Sequence, residues 1–189
     1  FLQCSAYALN VPKLQGYVND YAGMISPSAK AELEKELGAF ERTDSTQIVI
    51  LTIPSLEGEV IEEYCIKVAD AWKIGQKGKD NGVLVVVAPK DRRMRIEVGY
   101  GLEGVLPDGK VGRIGREAVP LLREGNYSGA MLLMTKRVAD AIAAGRGITL
   151  TSLPPIPEAD ESGESSGGFP LGTILFLILF FGMPALGWL

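Results

Sequence analysis

Two short stretches carry the oxygen donors with which this chain could do chemistry. Lys79-Asp80-Asn81-Gly82 places a carboxylate and an amide carbonyl at a turn leading into the β-branched run that follows. The plain role of such a tetrapeptide is an Asx-turn. Gly99-Tyr100-Gly101-Leu102-Glu103-Gly104, followed by Pro107-Asp108, adds two more acids. Hard cations collect oxygens from carboxylates, amides and backbone carbonyls, Ca²⁺ taking six to eight of them. Delivered to one place, Asp80, Asn81, Glu103 and Asp108 would suit Ca²⁺ or Mg²⁺. The competing reading is a solvated acidic rim, with Asp108 capping the helix after it.

Other chemistries fail on inspection. The chain contains no histidine, which excludes Ser-His-Asp and Cys-His nucleophile pairs, histidine-ligated zinc and any histidine proton shuttle. The glycine stretch matches G-x-G-x-x-G literally, yet Pro107 interrupts before a helix can start, and no later strand carries a ribose-binding acid. It reads better as a flexible loop whose glycines let backbone carbonyls face inward. Gly75-Gln76-Lys77-Gly78-Lys79 lacks the spacing and hydroxyl of a Walker motif, and Cys65 has Ala71 where a cysteine phosphatase needs arginine. There is no Asp-x-Asp-x-Thr for an aspartyl-phosphate route. The net charge of −4 argues against a nucleic-acid partner. The basic turn Lys90, Arg92, Arg93 and Arg95 reads as a solvated hairpin tip rather than a headgroup-binding patch, since each such charge is worth only about 1 kcal/mol at a membrane.

The elements that must position these loops follow from periodicity. Ser26-Pro27 opens a helix as N-cap and first helical residue, and Leu33, Leu37 and Phe40 form its apolar stripe. Gln47–Ile53 is a β-branched run closed by Pro54, the mark of a buried strand. Val60–Trp72 carries Ile61, Cys65, Val68 and Trp72 on one helical face, making Cys65 a buried structural thiol. Gly82–Ala88 is a second buried strand, and Pro89–Arg92 turns it into a returning strand at Arg93–Val98. Helices follow at about 110–122 and 127–144. The strand–helix–strand unit over 47–88 predicts a right-handed parallel crossover, and the hairpin adds an antiparallel strand. The expected architecture is α/β, a small three-layer α/β/α sandwich with a mixed sheet. In it the hairpin forces Asp80 and the 100–108 segment to the same end of the sheet.

The flanks differ from this domain. Ala6-Tyr7-Ala8 fits a small-x-small cleavage site, so residues 1–8 read as a signal-peptide remnant. Residues 151–168 are rich in Pro, Ser, Gly and acids, a linker that would average roughly 20–25 Å end to end as a coil. Residues 169–189 carry no charge over a length sufficient for a transmembrane helix, about 30 Å. The expected organisation is signal remnant 1–8, domain 9–150, linker 151–168 and anchor 169–189. The signal places the domain on the extracytoplasmic side of a cell membrane, through which the chain passes once.

Val18-Asn19-Asp20-Tyr21-Ala22-Gly23, Trp72-Lys73-Ile74-Gly75, Lys77-Gly78-Lys79-Asp80-Asn81-Gly82-Val83-Leu84 and Val98-Gly99-Tyr100-Gly101-Leu102-Glu103-Gly104 with Pro107-Asp108 closely resemble the TPM domain family. That group holds bacterial YgcG-like exported proteins and the plant thylakoid lumen phosphatase, and the likeness covers about residues 12–147. The resemblance implies an α/β/α sandwich, an acidic cleft for a divalent cation, often calcium, and a phosphatase label taken from the plant member. It also implies a setting in the maintenance or assembly of membrane proteins. By motif match the cleft would use Asp20, Asp80, Glu103 and Asp108. Asp20 enters by the resemblance alone, because its loop would have to cross back from the far end of the sheet.

Overall fold

The computed structural model describes residues 9–149; the signal remnant, the linker and the anchor expected from the sequence lie outside them. Within this range the elements are β1 (Val18–Asp20), α1 (Pro27–Asp44), β2 (Gln47–Thr52), α2 (Ile61–Trp72), β3 (Gly82–Ala88), β4 (Arg93–Val98), a 3₁₀ turn (Tyr100–Leu102), α3 (Asp108–Arg123) and α4 (Tyr127–Arg146). The result is a mixed four-stranded sheet with four helices, an α/β fold. Strand order follows chain order, β1-β2-β3-β4, with β1, β2 and β3 parallel and β4 antiparallel to β3.

Side chains alternating along each strand sort the core into two halves. On one face Ile48, Ile50, Val83, Val85 and Ile96 pack with α1, α3 and α4. On the other, Val49, Leu51, Leu84 and Val86 pack with α2. β3 is buried along its whole length, hence its unbroken apolar sequence. Helix α1 starts as its sequence dictates: the Ser26 side chain accepts from the Ala29 N–H, and Pro27 takes the first position.

Three features depart from the sequence expectations. Strand β1 is too short for an alternating pattern, yet it pairs in parallel with β2, Asp20 standing opposite Thr52. The 99–104 segment is not a flexible loop: it winds into the 3₁₀ turn and buries Leu102, with Leu106 buried just beyond. Asp108 is the first residue of α3 rather than its cap, the cap position belonging to Pro107. The crossovers also carry a constraint. Strands β1, β2 and β3 advance in one direction across the sheet, while α1 and α2 lie on opposite faces. The two crossovers therefore have opposite hands, and one of them is left-handed against the usual rule.

Candidate functional site

The loop entering β3 and the loop leaving β4 are fastened to each other by their backbones. Gly99 N–H donates to the Gly82 carbonyl at 2.8 Å, and Gly101 N–H to the Asp80 carbonyl at 3.0 Å. A Cβ on Gly99 would fall on the Asp80 carbonyl oxygen, and one on Gly101 on that of Lys79. Two of the three glycines are thus required by loop-to-loop contact rather than by a nucleotide. Gly104 has open space around it.

This pairing holds Asp80 in the left-handed region at φ +47°, with its side chain directed outward. Asp80, Glu103 and Asp108 are all exposed at this end of the sheet, and none joins an ion pair among the described residues. Asp108 lies there because α3 begins at this end and runs back to finish beside the hairpin turn, where Leu122 and Arg123 line a groove with Met94.

Asn81, a candidate oxygen ligand by sequence, is 1% exposed and already engaged. Its amide nitrogen donates to the Ser45 carbonyl at 2.7 Å, and its side-chain oxygen accepts from the Gln76 N–H at 2.8 Å. It ties the 76–81 loop to the end of α1, the structural role of an Asx residue.

Asp20 is not brought together with the other three acids. It stands opposite Thr52, which stands opposite Val87, seven residues along the chain from Asp80. At the rise of an extended chain that is roughly 20 Å away, at the other end of the sheet. Its carboxylate accepts from the N–H groups of Met24 and Ile25 at 3.1 and 2.9 Å, and from the Thr52 hydroxyl. Asp20 folds the 20–25 turn onto β2. Only the family resemblance groups it with the other acids, because a motif records which residues recur, not which end of a strand they leave from.

No group of three or more Cys, Asp or Glu side chains is positioned to hold a metal ion among the described residues. The rim is therefore not a closed carboxylate cage. A cation held there would draw the rest of its shell from backbone carbonyls and water, as Ca²⁺ commonly does. Cys65, the cysteine among the described residues, offers no accessible thiol: it is fully buried, and burial pushes it up to about 12. Helix α2 carries it into the apolar face, as its spacing predicted.

The basic turn is one unit in the sequence, and the structure divides it. Arg95 lies toward α2, its Nε 2.7 Å from Glu97 and its guanidinium 3.6 Å from Glu62. Arg92 and Arg93 instead border a groove that also receives Arg123 from α3. The partnership with Arg123 was hidden in the sequence, because it depends on where α3 ends against the hairpin.

Comparison with known proteins agrees with this picture. The TPM domain family matches residues 18–141. The solution structure of the N-terminal domain of a P. gingivalis protein is 30% identical, with a TM-score of 0.65 over 72% of this chain and 87% of that one. The N-terminal domain of the cg2496 protein from Corynebacterium glutamicum is 21% identical, with a TM-score of 0.52 over 77% and 90%. The BA42 protein of Bizionia argentinensis is 16% identical, with a TM-score of 0.56 over 64% and 83%; these last two share the fold. No curated protein matches the chain. The P. gingivalis relative is folded in solution as an isolated N-terminal domain, and the two core clusters described above draw on residues within 9–149. With the family match spanning most of the described residues and both strand-end loops, the chain belongs to the TPM domain family.

Proposed function

We propose that this TPM domain is a membrane-tethered, extracytoplasmic accessory module whose rim of Asp80, Glu103 and Asp108 binds a divalent cation, Ca²⁺ or Mg²⁺. Its work is then interaction with other membrane proteins rather than turnover of a substrate. The carrying observation is the fastened loop pair, which presents three exposed acids at one end of the sheet, none of them in an ion pair among the described residues. The uncharged stretch 169–189 supports the tether, and the small-x-small site near residue 8 supports export.

The family is also named for a phosphatase, which favours a second reading, a weak metal-dependent phosphomonoester hydrolase using the same rim. Carboxylate-held metals can activate water and neutralise phosphate without a protein nucleophile.

Thermal melts of residues 9–149 across a Ca²⁺ titration test the first reading. At a hundred times Kd the cation adds about 2.7 kcal/mol, which raises Tm by several degrees and does so less or not at all in Asp80→Asn. No shift with Ca²⁺, Mg²⁺ or Mn²⁺ removes the cation from the reading. A phosphomonoester assay with the same metals decides the second: turnover lost in Asp80→Asn makes the rim catalytic, and turnover unchanged in that variant comes from elsewhere.

A further inference from the structure

The groove at the opposite end of the sheet is built differently. It has a volume of about 770 Å³ and lies between the β3–β4 turn and the junction of α3 with α4. Arg92, Arg93 and Arg123 line it together with Tyr127, over apolar surface from Met94 and Leu122. No acidic residue is among its lining in the described residues. None of the three arginines joins an ion pair among the described residues. The acid within the turn, Asp91, is committed elsewhere: its carboxylate accepts from the Leu56 N–H at 2.8 Å and from Ser55.

Three exposed arginines share the lining of one groove, and like charges gathered there favour a bound anion. Guanidinium pairs with phosphate or carboxylate through two parallel hydrogen bonds. The apolar floor and the Tyr127 ring suit a carbon body attached to that head. The volume falls in the range of small-molecule sites, about 300–1,000 Å³. It opens at the carboxyl end of β3.

We infer that this groove is a binding site for a small organic anion, a phosphate-, phosphonate- or carboxylate-bearing molecule with an apolar body, held by Arg92 and Arg123. The site is separate from the acidic rim, so it stands whether or not the rim binds a cation.

Phenylphosphonate, which carries such a head on an aromatic body and is not hydrolysed, is the probe. Calorimetric titration into residues 9–149 gives saturable binding, about tenfold weaker in Arg123→Gln and in Arg92→Gln as one charge-assisted contact is lost. Arg113→Gln, an exposed change on α3 outside the groove, leaves it unaltered, and circular dichroism shows all three variants folded. Inorganic phosphate, lacking the body, binds at least tenfold more weakly. Equal phenylphosphonate affinity in Arg123→Gln and the parent overturns the site. Equal affinity for inorganic phosphate and phenylphosphonate overturns the role of the apolar floor, and with it the stated ligand class. Arginine-dependent pelleting with phosphatidylglycerol vesicles, without binding of the soluble probe, also overturns the inference and makes the arginines a lipid-facing surface.

Discussion

The Asp20 carboxylate takes two backbone N–H groups and a hydroxyl, and charged acceptors of this kind contribute more than neutral ones. Asp20→Ala leaves those donors facing a cavity. The expected loss is about 2–3 kcal/mol, read from the urea midpoint of residues 9–149. Because Asp20 lies far from Asp80, the Tm shift with Ca²⁺ is retained in this variant. A calcium response abolished with the fold intact would place Asp20 in the cation site after all. Asn81 teaches the converse lesson. Its residue type suits a ligand, but its 1% exposure and its bonds to Ser45 and Gln76 leave it no oxygen to offer. Residue type announces a capability, and burial decides whether it is spent on the fold.

At the scale of elements, the two rim loops depend on the close approach of Gly101 to Lys79. Gly101→Ala cannot be accommodated without separating the loops, since the obstructing atom is backbone rather than a flexible side chain. The expected cost is more than about 2 kcal/mol, accompanied by faster amide exchange at Gly99 and Gly101, measurable by hydrogen–deuterium exchange. An unperturbed Gly101→Ala would mean the loops are not fastened as described. Most elements were legible in the sequence because each carried its own local signal. Ser26-Pro27 marked a cap, Gly82–Ala88 an unbroken apolar run, and Pro89–Arg92 a turn. Strand β1 carried none: three residues cannot display a period of two, and only its pairing with β2 defines it. The common end of Asp80, Glu103 and Asp108 was legible because a hairpin leaves no choice. The arginine groove was not, since it joins residues whose meeting depends on how α3 packs.

For the whole molecule, pH dependence follows from groups that are buried rather than from histidine, of which there is none. Burial pushes Cys65 from 9.0 up to about 12 and Tyr64 from 10.0 up to about 12. Tyr17 rises from 10.0 to about 12, chiefly because its hydroxyl donates to Glu41 at 2.6 Å. Each folded value lies above its unfolded one, so the associated stability is fully present below pH 9 and is lost as pH climbs from about 9 to 12. Urea midpoints should be lower at pH 11 than at pH 8, and the drop smaller in Cys65→Ala. An equal drop in that variant would show that the thiol stays protonated on unfolding or is not the group responsible. The chain-order sheet has a further consequence, for synthesis. Each strand finds its partner already made, so β1 through β4 can assemble from the amino end as the chain emerges. Helix α4 is the last of the described elements to emerge, yet it supplies Met131, Met134, Val138 and Ile142 to the core shared with α1. Until it docks, that side of the sheet is covered only in part, by α1 and α3, and apolar surface is left open on a nascent chain. A ribosome-stalled or proteolysed product ending near residue 123 would therefore be sticky, prone to aggregation and a natural client for chaperones.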